Sequence, residues 1–254
     1  MKKYIALLLS VLLLICSMTG CGASKPAEKP DTSKKISIVT TIFPEYDWVS
    51  QIVGDTDSAE IKLLLDKGVD LHSYQPTADD IVKVASCDLF IYVGGESDEW
   101  VEDALAEATN KDMKVINLLE ALGDSVKEEE VIEGMEAEEE EEESEEEEPE
   151  YDEHVWLSLS NAQILCNVIA DALAEIDPEN AESYRANAAS YCDKLISLDA
   201  EYVKAVSAGT KDTLLFADRF PFRYLVDDYG LNYYAAFVGC SAETEASFET
   251  ILFL

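Results

Sequence analysis

The sequence predicts an α/β protein, and three observations carry that prediction. Short β-branched runs alternate with helical segments between residues 36 and 118, an unbroken helical pattern fills residues 178–208, and the alternation restarts beyond Gly209. Of the 254 residues, 48% are hydrophobic, and 12 Tyr, 8 Phe and 3 Trp supply aromatic bulk, which argues against wholesale disorder. At about 100–200 residues per domain, the length corresponds to one large or two small domains.

The elements follow in order. Ile36 to Thr41 is short and β-branched, Tyr46 to Val53 has helical spacing, and Ile61 to Leu65 is again strand-like. Thr77 is placed to cap a helix beginning at Ala78, Asp88 to Gly94 forms a third strand, Glu99 to Ala108 a helix, and Lys114 to Leu118 a fourth strand. Strands separated by helices imply a parallel sheet covered on both faces, with ligands beyond the carboxyl ends of the strands. The loop 66–77 lies at such an end. Asn161 to Ile176 reads as a helix, and Asp177-Pro178 as the cap and first turn of the next. Ala188, Tyr191, Leu195, Leu198, Tyr202 and Val206 recur at three- or four-residue spacing, so 178–208 reads as a structural spine far longer than the roughly 11–12-residue mean helix. A strand at Thr213 to Ala217, a helix at Phe222 to Asp228, a strand at Asn232 to Val238 and a helix opening at Phe248 begin a second lobe, which is expected to be incomplete.

The first 20 residues read as a targeting segment rather than as part of the fold. Lys2 and Lys3 precede an apolar run from Ile5 to Ile15 that is too short to span a membrane comfortably. The run ends in Met18-Thr-Gly-Cys21, which resembles a lipobox, so Cys21 is the expected first residue of a lipid-anchored protein. Residues 21–35, rich in Ala, Ser, Lys and Pro, follow as a tether, leaving residues 36–158 as the first lobe, 159–208 as the helical region and 209–254 as the start of the second lobe.

The formal net charge is −36, and half of it comes from eighteen acidic residues between Glu128 and Glu153, a stretch with no Lys or Arg. Such a charge repels phosphate backbones and excludes nucleic-acid binding. A block of like charges is expected to be a solvated, disordered loop, here 128–150. Cys87, Cys166, Cys192 and Cys240 show no C-x-x-C spacing, which argues against a zinc ribbon or redox pair.

Chemistry concentrates in the two histidines. His72 and His154 both sit in polar, loop-like contexts beside carboxylates, Asp70 for the first and Asp152 and Glu153 for the second. Neutral imidazole is the commonest metal ligand, and a neighbouring carboxylate fixes its tautomer. With 81 residues between them, however, the two do not by themselves define a zinc motif.

Five segments together resemble the zinc/manganese ABC-transporter substrate-binding lipoproteins. They are Ile38-Val-Thr-Thr-Ile-Phe-Pro44, Gly68-Val-Asp-Leu-His-Ser-Tyr-Gln-Pro-Thr-Ala-Asp-Asp80, Cys87-Asp-Leu-Phe-Ile-Tyr-Val-Gly-Gly95, Asp152-Glu-His-Val-Trp-Leu-Ser158 and Tyr229-Gly-Leu231. The resemblance implies two parallel-sheet α/β lobes joined by one long rigid helix, with the metal in the cleft between them. It also implies that His72 and His154 are ligands. Zinc-type members have a further His before Tyr-Gly-Leu, where this chain has Asp218-Arg219. Arginine cannot ligate a metal, which leaves Asp218, Cys240, Glu243 and Glu245 as candidates, with Asp218 and Glu243 taken to complete the site. The glutamate run stands where many zinc-type relatives carry a His-rich loop.

The resemblance implies a monomeric receptor on the outer face of a bacterial cell membrane. It would bind Zn²⁺, with Mn²⁺ as the alternative, and deliver it to an ABC permease without catalysis. Two other classes remain open at this stage: an adhesin using the same fold, which needs neither histidine, and a metal-dependent hydrolase, for which Glu153 is the available base.

The anchoring expectation has a direct check. Mass spectrometry of the mature N-terminus should find a lipid-modified Cys21, and Cys21→Ala should release the protein from the membrane fraction; an unmodified mature terminus at another residue would contradict it.

Overall fold

The computed structural model describes residues 35–66, 68–136, 150–241 and 245–254. Residues 1–34, with the expected signal segment, Cys21 and nearly all of the tether, lie outside the described residues, as do residues 137–149 of the glutamate run and Glu243.

The first lobe is built from β1 (Ile36–Thr40), α1 (Phe43–Val53), β2 (Ala59–Leu63), α2 (Ala78–Ser86), β3 (Leu89–Tyr92), α3 (Trp100–Ala106), β4 (Lys114–Asn117) and α4 (Leu118–Leu122). Its sheet has the order β2-β1-β3-β4 and every neighbouring pair is parallel. Successive strand residues point to opposite faces, yet Ile38 and Val39 of β1 and Leu89, Phe90 and Ile91 of β3 are all fully buried. Both faces of the central strands are therefore covered, which is why these strands read as continuous apolar runs. The strand expected at 61–65 begins and ends two residues earlier. Leu64 and Leu65 continue past it, their N–H groups donating to the carbonyls of Thr40 and Thr41 at 2.9 and 3.1 Å. Thr77 caps α2 as expected: its hydroxyl accepts from the Asp80 N–H, and Asp80 accepts in return from the Thr77 N–H at 3.1 Å.

Two helices follow, α5 (Leu159–Ile176) and α6 (Ala181–Ala208). Leu165, Cys166, Ile169 and Leu173 of α5 are fully buried in the first-lobe core. The long helix opens at Ala181, three residues later than expected, because Asp177 and Pro178 belong to the turn between the helices. Asp177 serves that turn from the side, accepting from Asn180 Nδ2 at 2.7 Å and from the Tyr184 hydroxyl at 2.8 Å. At 1.5 Å per residue, the 28 residues of α6 span about 42 Å. Its first half buries Tyr184, Ala188, Cys192 and Leu195, whereas Ile196, Leu198 and Val203 are exposed. Burial thus fades where the helix leaves the first lobe.

The second lobe is a β-α-β unit of β5 (Thr213–Phe220), α7 (Arg223–Tyr229) and β6 (Asn232–Val238), followed by α8 (Phe248–Phe253). The two strands pair in parallel, and Gly230 ends α7 in the left-handed conformation at φ +62°. Phe220, Val226 and Ala235 form its small core, with the Phe220 and Tyr233 rings stacked 3.9 Å apart. Helix α6 meets this lobe at α7, where Tyr202 stacks on Tyr229 and the Tyr229 hydroxyl donates to Asp199 at 2.9 Å. Among the described residues, no helix is long and apolar enough to cross a membrane.

The start of the glutamate run departs from the expected solvated block. Residues 128–136 are packed against the second lobe: Glu130 pairs with Arg223 at 3.2 Å, Glu129 accepts from the Cys240 N–H at 3.0 Å, and the Glu136 N–H donates to the Ala236 carbonyl at 2.9 Å. A like-charged segment can pack because the second lobe supplies N–H donors and a guanidinium.

If α5 is the keel of the first lobe, Leu165→Ala should cost about 2–5 kcal/mol in denaturant unfolding, against less than about 0.5 kcal/mol for Ile251→Ala on exposed α8. Equal effects would contradict this picture.

Candidate metal centre

Each histidine is held by a short local motif. His72 lies in the single 3₁₀ turn Leu71–Ser73 after β2, and the Asp70 side chain caps that turn by accepting from the His72 N–H at 3.1 Å. His154 precedes a second 3₁₀ turn, Val155–Leu157, and Asp152 Oδ1 accepts from its N–H at 2.8 Å. The two loops meet, and the imidazole Nε2 atoms face each other 3.3 Å apart. His154 is only 6% exposed, with the Trp156 ring 5.2 Å from its own.

The opposite ring nitrogen fixes the tautomer of His154. His154 Nδ1 is 3.1 Å from Asp152 Oδ1, and a carboxylate only accepts, so this nitrogen carries the proton and Nε2 presents a lone pair. His72 Nδ1 lies 2.9 Å from Ser97 Oγ, a group that both donates and accepts, and 3.5 Å from Glu153 Oε2. With the proton of each ring on Nδ1, two lone pairs face each other and repel unless something positive lies between them. Two nitrogens each about 2.05 Å from a tetrahedral Zn²⁺ would stand about 3.3 Å apart, which is the separation found.

Charge around the pair is arranged in the same sense. Burial, then the neighbouring His154, lowers the His72 pKa against the opposing pull of Asp70, so the ring stays neutral and able to ligate. Burial raises Glu153 to about 7, even though Ser97 donates its N–H to Oε1 at 2.9 Å. Burial also raises Asp98 to about 6. Asp70 is lowered: burial acts to raise it, but the His72 N–H and Arg219 outweigh that effect. The Arg219 guanidinium reaches Asp70 Oδ2 at 3.0 Å, crossing from β5 to the first lobe.

A third potential ligand arrives from the end of β6. Among the described residues, one group of three ligand types converges: His72, His154 and Cys240 each offer an atom within 4.8 Å of the others. Of the carboxylates expected to complete the site, Asp218 lines the same cavity of about 430 Å³ as both histidines, Arg219 and Gly239, but stands outside the converging trio. Its Oδ1 accepts from the Arg219 N–H at 2.8 Å. The β5 register breaks between Phe216 and Arg219, and this irregularity turns Asp218 and Arg219 to the positions they occupy. Glu243 lies outside the described residues, and Glu245 is exposed and outside the trio. A larger cavity of about 800 Å³, lined by Glu128, Glu129, Glu130, Tyr151 and Arg223 among others, carries no His or Cys.

Several positioning residues escaped sequence reasoning. Ser97 and Gly95 sit after β3, and Gly95 has φ +78°; a Cβ there would fall 2.4 Å from Glu153 Oε1. Gly239 lets β6 approach His154, since its Cβ would lie 3.1 Å from the ring. Tyr224 of α7 enters the first-lobe core, donating its hydroxyl to the Asp152 carbonyl at 2.8 Å and accepting from the Lys127 N–H at 3.1 Å. Glycines after a strand were the available signal for Gly95 and Gly239; Tyr224 offered none, because its partners are backbone groups over 70 residues away.

Two α/β units with parallel sheets, bridged by a long helix and meeting beside a histidine pair, have the architecture of periplasmic binding proteins. Residues 38–254 match the ZnuA family, zinc-uptake complex component A, periplasmic, and the chain belongs to that family. It is 34% identical over 249 residues to the zinc-binding lipoprotein AdcA of Streptococcus pneumoniae strain R6, covering 97% of this chain and 46% of that protein. It is 32% identical over 233 residues to the high-affinity zinc uptake system protein ZnuA of Bacillus subtilis, covering 91% and 70%. The Zn(II)-bound ZnuA-like domain of S. pneumoniae AdcA superposes with a TM-score of 0.65 at 31% identity, over 87% of this chain and 73% of that domain. The chain spans about half the length of the streptococcal relatives it matches.

The glycine argument is testable by comparison. Gly95→Ala and Gly123→Ala both place a side chain at positive φ, but only Gly95 also has Glu153 in the way. Gly95→Ala should therefore be the more destabilising, beyond the about 1–3 kcal/mol that each incurs for its backbone; equal losses in thermal unfolding would show that the contact with Glu153 is slack.

Proposed function

We propose that this chain is the extracytoplasmic substrate-binding component of a zinc-uptake ABC transporter. It captures Zn²⁺ between its lobes and passes the ion to a membrane permease. The observation that carries this reading is the pair of Nε2 atoms 3.3 Å apart, each imidazole backed by oxygen at Nδ1. Two nitrogens at that spacing suit a small tetrahedral cation, and their carboxylate partners raise ligand basicity. Membership of a zinc-uptake family and the relatives named for zinc binding and uptake support the choice of ion. The metal is cargo, so the site must release as well as hold, and no catalytic step is required of it.

Anchoring through a lipid on Cys21 would hold the receptor beside its permease, and the acidic surface would raise the local cation concentration without selecting the ion. Zn²⁺ over Mn²⁺ is the reading favoured by imidazole ligands, with geometry deciding between the two.

Calorimetric titration tests the assignment. His72→Ala and His154→Ala should each weaken Zn²⁺ binding by orders of magnitude with an unchanged circular dichroism spectrum, and the wild type should lose affinity as the pH falls below the imidazole range, because protons compete for Nε2. Undiminished affinity in both variants would sink the receptor reading.

A further inference from the structure

We infer that Cys240 is the third metal ligand and that the site is a two-histidine, one-thiolate centre, selecting borderline and soft cations such as Zn²⁺ and rejecting Mn²⁺. The inference rests on the histidine pair being the metal site and adds the identity of its third donor. Cys240 Sγ belongs to the only trio of ligand atoms, within 4.8 Å of one another, among the described residues. Asp218 and Arg219 stand outside the trio, whereas Cys240, its thiol hydrogen-bonded to Glu129, stands within it. Arg219 cannot ligate, and its guanidinium holds Asp70 Oδ2 at 3.0 Å and the Ser241 carbonyl at 3.3 Å. Asp218 is exposed and accepts from the backbone of its neighbour.

The backbone around Cys240 is shaped for this approach. Gly239 brings the chain against the His154 ring, where a Cβ would stand 3.1 Å from Cε1 and Nδ1 and push the ring aside by a few tenths of an ångström, and the residue after it brings Sγ within 4.8 Å of a ligand nitrogen of each histidine. The Cys240 N–H is fastened to Glu129 Oε1 at 3.0 Å, which fixes the segment from the other side. Cys240 also differs from the other described cysteines: Cys87, Cys166 and Cys192 are buried in the apolar core, and Cys240 is not. On coordination, the Sγ–H bond breaks as the Sγ–metal bond forms and the proton leaves to solvent. Thiolate is a soft donor suited to Zn²⁺, whereas Mn²⁺ prefers carboxylate, carbonyl and water oxygens.

Cobalt substitution of the full chain tests the inference. Co²⁺-loaded wild type should show a near-ultraviolet sulfur-to-cobalt charge-transfer band, and Cys240→Ser should lose the band while retaining bound cobalt. The same variant should lose at least the ~10-fold in Zn²⁺ affinity that losing even a partner of a ligand costs, with Mn²⁺ binding unchanged. Cobalt bound by the wild type without the band, or a band that persists in Cys240→Ser, overturns the thiolate while leaving the histidine reading in place. No cobalt bound at all overturns both. The wild-type spectrum decides even if the variant fails to fold.

Discussion

Two imidazole nitrogens held 3.3 Å apart in a cleft of about 430 Å³ are the constraint around which the rest of the structure is arranged. Left alone, the pair is repulsive, and either ring would rotate away or take up a proton. What prevents this is the far side of each ring. Asp152 binds both the backbone and the Nδ1 of His154, while Ser97 and Glu153 stand at the Nδ1 of His72. The repulsion is thereby converted into a preorganised position for a cation, in line with the proposed role in zinc capture.

Those supports come from places far apart in sequence. His72 follows β2 and Ser97 follows β3, both at carboxyl ends of the parallel sheet, where loops of this fold class gather ligands. Asp152 is steadied from the opposite direction by Tyr224, a second-lobe residue whose ring is buried in the first-lobe core. The cleft is thus tied on one flank by a buried tyrosine and on another by the half-exposed Arg219–Asp70 pair. The latter contributes at most about 1 kcal/mol, because water screens it. An anchor that is strong on one side and weak on the other is compatible with the proposed role, in which the ion must enter and leave.

Much of this was legible in the sequence, for identifiable reasons. The strand runs around Ile38 and Leu89 announced a sheet buried on both faces, and the long interval without Gly or Pro announced α6. The histidines stood out because there are only two. What was not legible depended on contacts between distant segments. Asp177-Pro178 carries the local signature of a helix start, yet Asp177 is drawn into the turn by Tyr184 and Asn180. The first glutamates of the acidic run look solvated by composition, yet the side chains of Glu129, Glu130 and Glu136 find donors on the second lobe in the Cys240 N–H, Arg223 and the Ser247 N–H. Four residues stood as candidates for a third donor, and Cys240 is proposed from the β5 irregularity and the approach at Gly239, tertiary features that no local spacing encodes.

The most direct measurement is anomalous diffraction at the zinc absorption edge from crystals of the zinc-loaded protein. The account predicts one strong peak in the cleft, about 2.0–2.1 Å from Nε2 of both His72 and His154. A principal peak elsewhere, for instance among Glu128, Glu129 and Glu130, with the histidine pair empty, would contradict it.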